Sequence, residues 1–488
     1  MPSPSTVDNN SKDSTPLLRR SSTRRPSTTQ ELRRLLALAG PILLTYVLEF
    51  LPGVVSLMLV GRMASPQTKE FLDGATLSSM LLYLSGEAPG FGLATALDTL
   101  CSQAHGAGRP RQMGVSFQTG VLVLSVAFVP VALVNWYAER WLLALQQPAE
   151  VAALAGRFSR LLVPGLPFLF LYELLKKVLQ AQNVVAPMVH IAVLSNVVNA
   201  VLGVYLTWYT AWGFDGAALA RSLSNAVLPL ATLAYFRWWR PEALAVWWPG
   251  WRPLDALRHA PAFLALGVPG MFMLVLEWLS YEVMAVLAGL LPAGVVAISV
   301  HSVLSTLANV GFHCFIGVGV ATNVLVGNYV GSGQRSHAQL VTRLGVAVSL
   351  AIAVLLVVAI IAGRALLPSL LINDAVAISN AAAALLVLVP FELLDAVNTV
   401  LQGVFRGTGH QTFAAVLNLC AYMVIGLPCG CWLAFQCGYG VQGLWLGLSV
   451  GYAVCVAVSS VKILRIDWEA MTRDAKARLR EQQETSTQ

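Results

Sequence analysis

Long apolar runs separated by short polar interruptions fill most of the chain, and within the runs there is no two-residue alternation of apolar and polar positions. The stretch LVTRLGVAVSLAIAVLLVVAIIAG, residues 340–363, is typical. About twelve such runs of roughly 20 to 28 residues can be marked, each long enough at 1.5 Å per residue to cross the ~30 Å hydrocarbon core of a bilayer. They start near residues 35, 74, 115, 152, 184 and 214, and again near 260, 294, 340, 374, 411 and 441. In hydrocarbon every backbone amide must find its partner inside the protein, which leaves helices or a closed barrel, and unalternated runs of this length exclude strands. The pattern predicts an all-α, polytopic membrane protein with twelve transmembrane helices. A polar stretch divides them six and six. The predicted organisation is a disordered basic cytosolic tail (1–34), an amino-terminal six-helix lobe (35–239), a cytosolic linker (240–258), a carboxy-terminal six-helix lobe (259–465) and a polar cytosolic tail (466–488).

Composition agrees: 57% of the 488 residues are hydrophobic and 11% are charged, too few to cover a soluble globule. The formal net charge of +7 does not imply a nucleic-acid partner, because its placement follows the membrane. Arg109, Arg111, Lys176, Lys177, Arg237, Arg240, Arg252, Arg258, Arg335, Arg343 and Arg406 are assigned to the side that carries both tails. The opposite loops hold only Arg62, Lys69, Arg140 and Arg364, so the positive-inside bias puts both termini in the cytosol. Arg157, Arg160 and Arg221 remain inside spans. The seven cysteines form no CxxC pair, and neither a zinc site nor a disulfide framework is expected. The segment 1–34 is rich in Ser, Thr, Pro and Arg and lacks the apolar core of a cleavable signal peptide. Within it Asp13-Ser-Thr-Pro-Leu17-Leu18 fits an acidic dileucine sorting pattern, and RRSSTRRPSTT sets serines beside arginines; a polybasic tail near anionic lipid is the alternative. Trp238, Trp239, Trp247, Trp248 and Trp251 read as anchors at the membrane interface.

The two halves repeat. At a 228-residue shift LALAGPILLTYVLEFL (36–51) faces LALGVPGMFMLVLEWL (264–279), pairing Pro41 with Pro269 and Glu49 with Glu277. The end of the second span faces that of the eighth at a shift of 225, pairing Asp98 with Asn323 and Gln103 with Asn328. VLQAQ in the fourth span matches VLQGV in the tenth at a shift of 222, and GFDGAALARSLS near the sixth echoes GVQGLWLGLS near the twelfth. Six spans in each half give the halves one orientation, so they are two pseudo-symmetric lobes related by an axis along the membrane normal, with room for a central cleft and rocking between them.

Acidic residues inside spans are costly and need either a partner or a task. Glu49, Glu87, Glu277, Glu282 and Asp395 stand out, and Glu392, one turn before Asp395, is placed to face the cleft with it. Glu277 and Glu282, five positions or about 140° apart, do not share one narrow face, whereas Tyr281 sits beside Glu277 at i+4. A desolvated carboxyl group takes up a proton readily, and its ionised form attracts an organic cation, so proton and cargo can compete for one site. His190, His301 and His313 also fall within spans, where a cleft-facing histidine can relay protons. Gly-rich segments such as HGAG and VGSG lack the Lys-Ser/Thr of a phosphate loop and read as turns, so no nucleotide cofactor is expected.

ALDTLCSQAHGAG, LEWLSYEVMAVLAGLL, VGNYVGSGQ and LQGVFRGTGHQ together resemble the multidrug and toxic compound extrusion (MATE) family in its eukaryotic branch, over roughly residues 33–465. The resemblance implies twelve helices in two lobes and export of organic, often cationic, compounds in exchange for protons or sodium ions, with no enzymatic activity and no cofactor beyond the coupling ion. It matches the family's acidic pair in the seventh helix to Glu277 and Glu282 and its acid in the tenth to Asp395. The Arg that often precedes VGN in the family is Leu325 here, and Val55 and Ser56 stand near the place of an aspartate that many bacterial members carry. The expected site is Glu277, Glu282, Asp395, Tyr281, Glu49, Glu392 and Gln103, with no metal. The expected partners are small organic substrates and membrane lipid, for a monomer in the vacuolar or plasma membrane. Sodium coupling is one alternative. The other is a lipid-linked precursor flippase, whose cleft needs cationic residues to hold a pyrophosphate.

Overall fold

The computed structural model describes residues 27–485, so the dileucine pattern and most of the arginine-serine stretch lie outside the described residues. Among the described residues eleven helices are long and apolar enough to cross a membrane. They are α1 (Thr28–Gly61), α3 (Pro110–Trp136), α4 (Ala149–Ala181), α5 (Ala186–Trp208) and α6 (Phe214–Trp239), then α7 (Pro253–Gly289), α8 (Gly294–Ser332), α9 (Arg335–Gly363), α10 (Ala375–Thr408), α11 (Gln411–Gln436) and α12 (Gly440–Leu464). The twelfth, α2 (68–106), is broken by a π segment at Tyr83–Glu87 and again at Thr95, whose hydroxyl donates to Gly92 O at 2.6 Å. No strand occurs among the described residues, as the unalternated pattern predicts.

Three sequence expectations shift. α1 starts at Thr28 and buries Glu31, so the last part of the 1–34 tail is helical. The 240–258 linker contains a short helix, Pro241–Trp247, and gives way to α7 at Pro253. Its Trp247 is no interface anchor: it is 1% exposed, packed against Phe117, Phe236 and Trp248. The 466–488 tail is largely helix α13 (Trp468–Thr485), which buries Trp468, Met471 and Ala475 in the apolar core.

The lobes meet at close range, and the contacts come in symmetric pairs. A Cβ added to Gly106 of α2 would collide with Asn328 O on α8, and one added to Gly331 of α8 would collide with Gln103 O on α2. The 225-residue shift exchanges these two contacts. Likewise Gly92 abuts Met271 Cα while Gly317 abuts the Leu43 side chain, a pair exchanged by the shifts of 225 and 228. Interruptions repeat too: the 3-10 turn Val163–Gly165 in α4 recurs as Leu385–Val387 in α10, again at the 222-residue shift. Glycines let the helix backbones touch where no side chain fits.

All these inter-lobe contacts lie in the half of the molecule nearer the face where α1 begins and α12 ends, here the terminal face. There one apolar core runs through both lobes. Towards the distal face each lobe has its own core, one around Phe158 and Phe214 and one around Phe391 and Trp445. The lobes are joined at the terminal half, touch again where Tyr83 packs on Trp278 and Phe50 on His313, with ring centroids 4.6 and 5.2 Å apart, and have separate cores towards the distal face. Gly106→Val and Gly331→Val should each wedge this seam open. The check is maleimide labelling of Gln103→Cys, expected to be faster in either glycine variant than in the parent.

Candidate functional site

The parting of the lobes exposes the distal half of α7. Glu277, Trp278, Tyr281 and Glu282 line a cavity of about 330 Å³ together with His301, Ser302, Ser305, Asn309 and Phe312 of α8 and Met80 of α2. Glu277 and Glu282 both border it because it wraps around α7 between two neighbouring helices. Glu277 Oε1 accepts a hydrogen bond from the Tyr452 hydroxyl at 3.1 Å, and that hydroxyl is 3.4 Å from the hydroxyl of Tyr281. Tyr452 stacks on Tyr422 with ring centroids 4.9 Å apart, and Asn398 Nδ2 donates to the Tyr422 hydroxyl at 3.0 Å. Side chains of α12, α11 and α10 thus line up inward from Glu277, with a ring stack and not a hydrogen bond joining Tyr452 to Tyr422.

Glu392 and Asp395 do not line the cavity. The α10 face that carries them packs on α8, so both are fully buried, against the expectation that Glu392 faces the cleft. Asp395 Oδ1 accepts from Thr399 Oγ1 at 3.3 Å. Both carboxyl oxygens of Glu392 are buried without a hydrogen-bond partner, close against Gly311. Among the described residues none of Glu277, Glu282, Glu392 and Asp395 forms a salt bridge, although the Arg406 guanidinium is near enough to act electrostatically on Glu277.

Acids of the amino-terminal lobe are in the opposite condition. Lys176 Nζ lies 2.7 Å from Glu49 and 2.6 Å from Glu173; Lys177 Nζ lies 3.0 Å from Asp98; Arg221 lies 3.1 Å from Glu87; and Arg157 is bonded to Asp215. Lys176, Lys177 and Arg406 are therefore not loop residues, as the charge distribution implied. They are buried on α4 and α10, because carboxylates placed beside them offset the cost of desolvating an ammonium or guanidinium. Arg406 reaches across the seam to 3.9 Å from Asp98, and the Thr99 hydroxyl donates to Arg406 O. Gln103 joins this seam and not the cavity: its Nε2 donates to Gly407 O at 3.0 Å.

Sequence reasoning missed Glu173, Tyr452, Tyr422, Asn398 and Trp278. Glu173 carried a signal, since it is the repeat partner of Asp395 at the 222-residue shift. The tyrosines carried none, because a lone Tyr in an apolar span says nothing of what its hydroxyl meets.

The sequence model of the MatE family matches the chain twice, over residues 41–205 and 269–432, and the two matches begin at Pro41 and Pro269, which the 228-residue shift pairs. The chain is 32% identical to multidrug and toxin extrusion protein 2 of Mus musculus over 457 residues, covering 93% of this chain and 78% of that protein. It is 29% identical to protein DETOXIFICATION 16 of Arabidopsis thaliana, covering 93% and 92% respectively. The crystal structure of the eukaryotic MATE transporter AtDTX14 superposes with a TM-score of 0.86 at 26% identity, over 92% of this chain and 99% of that one. Duplicated lobes, glycine seam and sequence likeness agree, and the chain belongs to the MatE family of multidrug and toxin extrusion transporters, which are carriers and not enzymes.

Proposed function

We propose that the chain is a secondary antiporter that exports organic cations in exchange for protons, with its carboxy-terminal lobe as the coupling lobe. The observation that carries this reading is the asymmetry of buried charge: amino-terminal acids are paired with lysine or arginine, and carboxy-terminal acids are not. An unpaired carboxylate shielded from water is costly, so a proton or an arriving cation must neutralise it, and the two exclude one another. Glu277 and Glu282 meet cargo in the cavity. Trp278 and Tyr281 supply ring faces that add cation–π attraction. Asp395 and Glu392 form a deeper proton store. Glu49, held by Lys176, and Gln103, held in the seam, serve the structure and not the exchange. A lining that contains no lysine or arginine disfavours the flippase alternative, which must hold a pyrophosphate.

The basic residues gathered toward the terminal face support a cytosolic location for that face, in the vacuolar or plasma membrane, with the monomer as the working unit. Exchange then requires the glycine seam to open towards the cytosol as the distal cavity closes.

In proteoliposomes carrying a pH gradient, Glu277→Gln is expected to insert normally and to lose uphill export of an organic cation such as tetraethylammonium; full export by that variant would falsify the reading. Adding the cation to the unmodified protein should release protons, and dissipating the pH gradient under a sodium gradient should stop transport, since sodium coupling predicts the reverse. Tyr452→Phe keeps the ring stack but removes one hydrogen bond to Glu277, of net worth about 1 kcal/mol, so KM for the cation should rise about fivefold at unchanged expression.

A further inference from the structure

α1 meets the other lobe as soon as it enters the molecule at the terminal face. Its first turns carry Glu31 and Arg34, and both reach Tyr329 near the end of α8. The Tyr329 hydroxyl donates to Glu31 Oε2 at 2.5 Å and accepts from Arg34 Nη1 at 3.1 Å, while Arg34 Nη1 also donates to Glu31 Oε1 at 3.0 Å. Side chains from two lobes thus close a ring of hydrogen bonds, each with a charged partner, the stronger kind. Glu31 is 2% exposed and Tyr329 3%, whereas the Arg34 side chain is 38% exposed and opens the ring to water. Tyr329 shares the apolar core with Leu35 and Leu38 of α1 and Trp468 of α13, and the His337 ring of α9 lies 5.2 Å from its own.

The pseudo-symmetric place is built differently. The 228-residue shift puts His259 and Ala262 where α1 has Glu31 and Arg34, and the 225-residue shift puts Ala104 where α8 has Tyr329. Ala104 has no hydroxyl, and His259 Nδ1 is engaged with Asp255 O of its own helix at 2.6 Å. There the tie between lobes is the polypeptide itself: the linker into α7 is gripped by Gln118 of α3, at Gly250 O and Arg252 N, 2.8 and 2.7 Å away. A polypeptide tie is permanent and a ring of hydrogen bonds is not. We infer that Glu31, Arg34 and Tyr329 form a latch between the lobes at the terminal face, which holds the carrier at rest with its seam closed and must release before the seam opens. Release leaves little unsatisfied, because Glu31 and Arg34 keep each other within one helix and water entering beside Arg34 reaches the Tyr329 hydroxyl. The latch rests on the seam opening during exchange, as proposed above, and not on which ion is coupled.

Tyr329→Phe keeps the ring beside His337 and removes only the hydroxyl. Maleimide labelling of Gln103→Cys in the purified protein is measured as the excess over the chain with Gln103 intact, which corrects for the native cysteines. A hydrogen bond to a charged group is worth about a factor of ten or more, so Tyr329→Phe is expected to raise the labelling rate about tenfold. Glu31→Ala should raise it similarly, and the double variant no further than the faster single one, because both remove one contact. Thr342→Val removes another buried hydroxyl, one that donates within α9 to Ala338 O at 2.9 Å, and should leave the rate unchanged. An unchanged rate in Tyr329→Phe, single effects that multiply in the double variant, or equal acceleration by Thr342→Val overturns the latch. Should Glu31→Ala not be recovered folded, Tyr329→Phe against Thr342→Val decides alone. If Gly106→Val labels faster and Tyr329→Phe does not, the latch falls and the seam stands; if neither does, the opening of the seam falls with it. Export by Glu277→Gln removes the antiport reading and leaves these rates as they are.

Discussion

A carboxylate enclosed within a bilayer-spanning bundle has to be neutralised, because neither lipid nor a packed helix interface solvates its charge. The two lobes meet that constraint with the same helices and different residues. In the amino-terminal lobe the answer is covalent: the lysines of α4 and the arginines at 157 and 221 are built into the chain and stay with their acids. In the carboxy-terminal lobe no described basic residue forms a salt bridge with Glu277, Glu282, Glu392 or Asp395; Arg406 acts on Glu277 only from a distance, and hydroxyls from Tyr452 and Thr399 are what two of the acids receive. One lobe is electrically finished and the other is not. On the proposed reading, duplication followed by divergence at a few positions separates a scaffold half from a coupling half.

The glycine seam belongs to the same plan. Gly106, Gly331, Gly92 and Gly317 let α2 and α8, and their neighbours α7 and α1, approach until backbone touches backbone, and the contacts are exchanged by the pseudo-twofold axis. Such an interface has few interlocking side chains to disengage. Arg406 beside Asp98, with Gln103 and Thr99 bonded to the backbone of α10, adds polar contacts that water can take over once the lobes separate.

Much of this is legible in the amino-acid sequence. Helix content, span number and the six-plus-six repeat follow from apolar periodicity and from pairs such as Pro41–Pro269 and Glu49–Glu277, since those signals are local or internal to the chain. Chain ends were less legible: α13 reads as a polar tail because its inward-facing apolar residues, Trp468, Met471 and Ala475 among the described ones, are few, and a one-sided short helix dilutes its own signal. Lys176 and Lys177 looked like loop residues because a charge count sees sequence distance from a span end, whereas their burial depends on Glu49 and Asp98, more than seventy positions away. The inward turn of Glu392 escaped for a similar reason. Helical geometry places it on the same side of α10 as Asp395, but which neighbour covers that side is decided by α8.

The matched 3-10 turns divide α4 and α10 into jointed rods. Upstream of its joint, α10 runs Ala375–Ala384 and belongs to the distal core of its own lobe; downstream, Leu388 and Phe391 still belong to that core, and the stretch from Val400 to Phe405 enters the core shared by both lobes. The i→i−4 ladder is already interrupted at Leu385–Val387, so a bend there disrupts fewer bonds than elsewhere in the helix. Asp395 stands two turns beyond this elbow. On the antiport reading proposed above, the elbow lets the upper rod tilt while the stretch carrying Asp395 stays in place, so that the helix can articulate without any part of it unwinding.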